Sequence, residues 1–310
     1  MTEPCTSIDD RQLDFLDRLA VPHQRHAPLG PRTWYGIGGS AQVLAAPEST
    51  EQLQTLARNC WQRQIPVRVL GSGANLLVAD TVVPGIVIDM MAPAFNHFHI
   101  AGHHLIAGAG CDLFKLIPAV TREGLGGLHV LAGIPASVGG AIRMNAGGTF
   151  GEIGDSVHSV TVMENDGAIH TLTRRQITFS YRRTNIAQPI ILSAEFALKA
   201  GDPSALAARF KEIFALKSKS QPMGESSAGC AFRNPPKTSD NSLAAGQLID
   251  QAKLKQYRVG GAYVSPVHAN FIVAEKNAAA SDVLAVIEHV QKVVRDRFGV
   301  ALQRELVVWP

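Results

Sequence analysis

Residues Gly126–Gly148 read GGLHVLAGIPASVGGAIRMNAGG, with glycine at 126, 127, 133, 139, 140, 147 and 148. Inside a helix or strand each glycine costs about 0.5–1 kcal/mol relative to alanine, and Pro135 further opposes a helix. What glycine offers instead is close approach: without a Cβ, backbone N–H groups can lie against an anion. The stretch therefore reads as loops wrapped around a phosphate-bearing cofactor. A second glycine turn, Gly71-Ser-Gly-Ala-Asn75, directly follows Val67–Leu70, which reads as a strand. It lacks GxGxxG spacing and a Walker lysine. Alone it is weak evidence for an anion nest over a plain tight turn; two such loops in one domain suit a diphosphate gripped from two sides.

The pattern around these loops is α+β. Ser49-Thr-Glu-Gln52 has capping-box spacing, and Leu53, Leu56, Ala57, Cys60 and Trp61 continue it as a helical stripe that must end before Pro66. Gly85–Asp89, Leu105–Ala109 and Ile190–Leu198 read as strands. Val157–Glu164 and Ile169–Leu172 flank Asp166-Gly167 and read as a hairpin. After Gly201-Asp-Pro-Ser204 the character changes. Pro203–Lys219 is expected to be a helix burying Leu206, Phe210, Ile213 and Phe214, and Pro235–Gly246 a polar loop. Ser281–Phe298 is expected to be a helix with Val283, Val286, Val290, Val293, Val294 and Phe298 inward and Gly299 as its stop. The expected division is 1–90 and 91–202 for two cofactor-binding subdomains and 203–310 for a substrate domain whose C-terminal segment returns to the active site.

Composition excludes several classes. The chain has 310 residues, 46% of them apolar and 18% charged, with a net charge of +3. That is enough for a large core and too few charges for a disordered chain. Lys and Arg are scattered, so no nucleic-acid partner is expected. The N-terminus has no signal-peptide pattern, and no uncharged apolar run reaches the roughly eighteen residues of a membrane span. Cys5, Cys60, Cys111 and Cys230 show no metal spacing, as expected for reduced thiols in the cytoplasm. No metal site is expected: there is no HExxH, and His103-His104 reads as a surface pair.

Three places carry possible chemistry. Cys230 lies in Ser226-Ser-Ala-Gly-Cys-Ala-Phe-Arg-Asn-Pro235, where small neighbours either let a thiol face a cleft or simply bury it. Tyr181-Arg182-Arg183 sits in a polar turn, where a guanidinium fork can meet an oxyanion, although a surface ion pair is the commoner use of such a pair. Glu305 lies in the apolar stretch Val300–Trp309; a carboxylate on a half-buried strand is either paired or has a raised pKa. Alternation puts Arg304 on the opposite face.

Together these segments resemble the UDP-N-acetylenolpyruvoylglucosamine reductases, from about Arg32 to the C-terminus. The motifs fall in family order: Ile37-Gly-Gly39; Leu70-Gly-Ser-Gly-Ala-Asn-Leu-Leu77; Ala132-Gly-Ile-Pro135 through Asn145-Ala-Gly147; Ser180-Tyr-Arg182; Ser227 to Pro235; and Gly246-Gln-Leu-Ile-Asp250 with His268-Ala-Asn-Phe271. The short span between Arg183 and Ile190 resembles the shorter of the two family types. The resemblance implies an α+β FAD fold of the vanillyl-alcohol-oxidase type, with two subdomains, plus a smaller α+β substrate domain. It implies noncovalent FAD, NADPH as co-substrate, and reduction of a UDP-sugar enolpyruvyl ether to UDP-N-acetylmuramate by a cytoplasmic monomer in peptidoglycan synthesis.

The resemblance also implies residue roles. Arg182, Cys230 and Glu305 are the expected catalytic trio: hydride passes from flavin N5 to the vinyl carbon and a proton from Cys230, with Arg182 and Glu305 stabilising the charge that develops on the substrate carboxylate. FAD is expected at Gly71, Ser72, Gly73, Ala74, Asn75, Leu76, Gly133, Ile134, Pro135, Ser137, Gly139, Gly140, Asn145 and Gly147. Substrate is expected at Tyr181, Lys217, Gln221, Asn234, His268 and Asn270, with Tyr257 or Tyr263 for stacking. Three positions depart from the family: Cys230 where many members have serine, Ala136 where glycine is usual, and His129 where glutamate is frequent.

Overall fold

A computed structural model describes residues 8–236 and 243–310. Cys5 and the centre of the expected 235–246 polar loop lie outside the described residues. The chain forms two compact units, each discontinuous in sequence. One contains the residues up to Ala27, Ala41–Ser72 and Pro84–Leu216; the other contains Pro28–Ser40, Gly73–Val83 and Lys217–Pro310.

The first unit holds two sheets. In one, the strands run in the order His23–Pro28, Ser40–Ala45, Val82–Asp89, Val67–Leu70, the last two parallel, with Val67 opposite Ile86. The connecting helix Thr50–Gln62 starts where expected: Ser49 Oγ accepts the Gln52 N–H at 3.2 Å. It buries Leu53, Leu56, Ala57 and Cys60. The other sheet is antiparallel, in the order Ile169–Thr173, Val157–Met163, Ile190–Ala197, His104–Gly108, Phe98–Ala101. Its 157–173 hairpin turns at Asp166-Gly167, where Asp166 Oδ1 accepts the Ala168 N–H at 2.9 Å.

Two expectations in this part of the chain are corrected. The Gly126–Gly148 stretch is not all loop: Val138–Arg143 forms a short helix capped by Ser137. Its glycines are there for contact. A Cβ on Gly139 would come within 2.9 Å of Ala109 Cβ, and one on Gly71 would overlap Ser137 Oγ, so the gain in packing outweighs the helical cost of glycine. The helix Pro203–Ser220 forms, but only Ile213 of its expected stripe is buried and Phe214 is 38% exposed.

The second unit packs the helices Ala245–Gln251 and Ala280–Phe298 with a three-stranded antiparallel sheet, Arg258–Val259, Ala262–Val264 and Ile272–Ala274. The long helix buries Val283, Val286, Ile287, Val290 and Val294 and ends at Gly299, which is left-handed at φ 68°. Its N-terminus is held from far away in sequence: Asp80 accepts the N–H groups of Ala280 and Ser281 at 2.8 and 3.1 Å. The strand Val307–Trp309 runs parallel to Leu76–Val78. Among the described residues no helix is long and apolar enough to cross a membrane.

Candidate active site

Gly71 and Ser72, the start of one glycine loop, lie in the first unit together with the Gly126–Gly148 stretch and touch it; Gly73–Asn75 belong to the second unit. Ser72 Oγ accepts the Ser137 N–H at 3.1 Å. Around them an open cavity is lined by Gly71, Ser137, Gly139, Gly140 and Arg143, with Val69, Met90, Ala109, Pro189 and Ile191 as apolar wall. Their N–H groups are used differently from the expectation. Val138 and Gly139 donate to Cys111 and Ala109 carbonyls at 2.9 and 2.8 Å, so those amides are spent on packing. The Gly71 and Ser72 amides find no acceptor among the described residues. An apolar slot edged by unspent amides and a guanidinium fits a flavin nucleotide: the amides and cation suit a diphosphate, the wall a planar ring.

Sequence reasoning passed over Arg143, because one arginine in a glycine-rich run has no local signal. It ends the short helix and is half-buried. Its guanidinium donates to the carbonyls of Ile186, Gln188 and Pro189 at 2.6, 2.5 and 3.2 Å. Burial lowers its pKa.

Arg182, also in the first unit, lies in the tight turn between Phe179–Ser180 and Arg183–Thr184. Its φ of 55° is left-handed, a conformation that costs about 1–3 kcal/mol for a residue with a Cβ. Two contacts hold it there. Its Nη1 donates to Gly147 O at 2.8 Å, and Asn145 Nδ2 donates to Ser180 O at 3.0 Å while Asn145 Oδ1 accepts the Gly154 N–H at 3.2 Å. Asn145, expected at the cofactor, is fully buried with its amide committed to bracing this turn. Tyr181 is exposed, and the Arg182 guanidinium lies 5.4 Å from its ring centre.

In the second unit Cys230 and Glu305 sit on neighbouring extended segments. Cys230 is bridged to Phe271. Next to it, Ala231 donates to Asn270 O and accepts from the Glu305 N–H, both at 2.8 Å. Phe232 is bridged to Arg304, and Arg233 donates to Gln303 O at 2.9 Å. The 230–233 segment is thus the middle of three, flanked by 268–271 and 303–305. Glu305 is not on the expected strand, which begins only at Val307. Instead Asn75 braces it, donating from Nδ2 to Glu305 O at 3.2 Å. Asn270 is 3% exposed and clamps the middle segment: its Oδ1 accepts the Phe232 N–H at 3.0 Å and its Nδ2 donates to Phe232 O at 2.8 Å. Asn75 and Asn270 were expected to meet ligands; the structure gives each amide a bracing task.

The other expected substrate residues are distributed through the same unit. Lys217 and Gln221 are one turn apart at the end of the helix Pro203–Ser220, joined by the Gln221 N–H to Lys217 O bond. Asn234 Oδ1 accepts the Ala245 N–H at 3.0 Å, at the start of the helix Ala245–Gln251. His268 accepts the Asn270 N–H on Nδ1 at 3.2 Å, and burial lowers its pKa. Arg233 Nε is buried with no acceptor among the described residues. Neither stacking tyrosine has two open faces: Tyr257 stacks on His289 at 3.9 Å, and Arg258 lies 4.8 Å from the Tyr263 ring centre.

Comparison with known proteins gives the family. Residues 221–309 match the family described as UDP-N-acetylenolpyruvoylglucosamine reductase, C-terminal domain, and residues 41–173 match the FAD binding domain family. The UDP-N-acetylenolpyruvoylglucosamine reductase of Heliobacterium modesticaldum is 40% identical, covering 91% of this chain and 88% of that one. That of Desulfosudis oleivorans is 39% identical, covering 91% and 92%. The crystal structure of UDP-N-acetylenolpyruvylglucosamine reductase from Thermus caldophilus superposes with a TM-score of 0.80 at 38% identity, over 94% of this chain and 99% of that one. The α+β FAD-binding fold implied by the resemblance is borne out. The chain belongs to the UDP-N-acetylenolpyruvoylglucosamine reductase family.

Proposed function

We propose that this chain reduces the enolpyruvyl ether of a UDP-N-acetylglucosamine derivative to UDP-N-acetylmuramate, using noncovalent FAD and NADPH, in peptidoglycan precursor synthesis. The observation that carries the reading is the placement of Cys230 and Glu305 on adjoining segments, 231 and 305 being joined by a backbone bond, in a chain of this family. When bound, FAD reduced by NADPH supplies the hydride.

The chain's own residues supply the rest. Cys230 holds a proton on Sγ for the carbon left with excess electron density. The Arg182 charge offsets negative charge developing on the substrate carboxylate, and Glu305, as the neutral acid, donates a hydrogen bond to the same oxygens. Gly71, Ser72, Gly73, Ala74, Asn75, Leu76, Gly133, Ile134, Pro135, Ser137, Gly139, Gly140, Asn145 and Gly147 form the proposed FAD cradle; Leu76 is buried and contributes only backbone. Tyr181, Lys217, Gln221, Asn234, His268 and Asn270 are the proposed substrate contacts. We assign 1–90 and 91–202 to the cofactor and 203–310 to the substrate, and infer a cytoplasmic monomer that binds no nucleic acid.

The purified protein should be yellow, bleach anaerobically with NADPH, and recover its colour when the enolpyruvyl nucleotide-sugar is added. Colour recovered from oxygen but not from that substrate would indicate an oxidase. Binding without bleaching would indicate a sensor. Either result overturns the proposal.

A further inference from the structure

The Arg143 guanidinium is half-buried and lines the glycine cavity. Of its five N–H groups, three go to the carbonyls of Ile186, Gln188 and Pro189. The Nε–H and the second Nη1–H have no acceptor among the described residues, and no carboxylate pairs with the group. Carbonyl dipoles compensate a buried cation only in part, so an unpaired guanidinium in a cavity wall is costly unless an anion comes to it. One helical turn before it, Gly139 and Gly140 line the same cavity, on the same helix face. The clamped segment contributes Pro189 to the lining of the same cavity.

We propose that Arg143 anchors the adenosine diphosphate half of the cofactor, fixing the Pro189 wall with three hydrogen bonds and presenting its charge and spare N–H groups to the diphosphate. This rests on the FAD reading above. It makes Arg143 a cofactor-binding residue in addition to a strap for residues 186–189.

The test uses the full chain freed of FAD, with FAD, ADP and riboflavin as separate probes, titrated by fluorescence or calorimetry at low and high salt. Charge-assisted hydrogen bonds of this kind predict that Arg143→Gln weakens FAD and ADP binding about ten- to a hundred-fold and flattens their salt dependence. Riboflavin affinity should not change. Arg143→Lys, which keeps the charge but cannot span three carbonyls, should lie between. Two outcomes overturn the proposal: ADP affinity and salt dependence unchanged in Arg143→Gln, or all three probes weakened by one factor together with a lower melting temperature of the ligand-free chain, as a plain strap would give. A wild-type chain without affinity for FAD would instead remove the cofactor reading itself.

Discussion

Replacing Asn270 by alanine tests the geometry that positions Cys230. Asn270 and Phe232 are 3% and 1% exposed, and the two side-chain bonds between them span 3.0 and 2.8 Å. Truncation leaves a buried N–H and a buried C=O without partners. Each orphan costs about 1–3 kcal/mol. The backbone bond from Ala231 to Asn270 O at 2.8 Å survives, which favours the lower half of the range. We expect a loss of about 2–4 kcal/mol. That is less than the total stability of about 5–15 kcal/mol typical of a domain, so the variant should fold. Urea unfolding followed by circular dichroism reads the loss. Because Phe232 lies two residues from Cys230, turnover with saturating substrate should fall more than KM rises. Asn270→Asp sharpens the test. Its carboxylate keeps the acceptor for the Phe232 N–H but sets a charge against Phe232 O, so it should be at least as unstable at neutral pH and recover in mild acid, where the carboxyl is neutral and can donate. A loss below about 1 kcal/mol with normal turnover would refute the bracing role.

Three further outcomes follow from single residues. Cys230→Ser, which keeps a side-chain proton, should keep substantial turnover; Cys230→Ala should bleach with NADPH but reoxidise slowly in stopped flow, and normal reoxidation would remove Cys230 as proton donor. Burial pushes the Cys60 thiol from 9.0 up to about 12, against an opposing pull from Arg63. The unfolded chain therefore releases this proton first, and stability, complete below pH 9, should fall by about 4 kcal/mol as pH rises to 12; a Cys60→Ala variant whose unfolding kept the same alkaline slope would disprove this. Asp80→Ala should cost about 1–2 kcal/mol in urea unfolding by uncapping the helix Ala280–Phe298, and an unchanged midpoint would show that the cap contributes nothing.

Much of the fold was legible locally. The Ser49 cap with its stripe, the Asp166-Gly167 hairpin and the helix stopped by Gly299 each state their conformation within a few residues, because capping, turn chemistry and periodic burial act over one or two turns of chain. The short helix Val138–Arg143 was hidden, since its glycines signal loop until Ala109 and Ser137 are known to press against them. The exposed Phe214 was misjudged for a related reason: a stripe shows which residues can be buried together, and only the packed neighbours decide which are.

The motif order alone determined the family, and with it the chemistry expected of Arg182, Cys230 and Glu305. What the chain order could not supply was the partners of the asparagines. Asn75 reaches Glu305 across 230 positions, Asn145 reaches Ser180 across 35, and Asn270 reaches Phe232 across 38. An amide side chain suits a ligand and a backbone equally well, since it donates and accepts in either setting. Only the folded chain set each amide against one particular peptide group, burying Asn145 and Asn270 there, and left the unpaired charge of Arg143 facing a cavity.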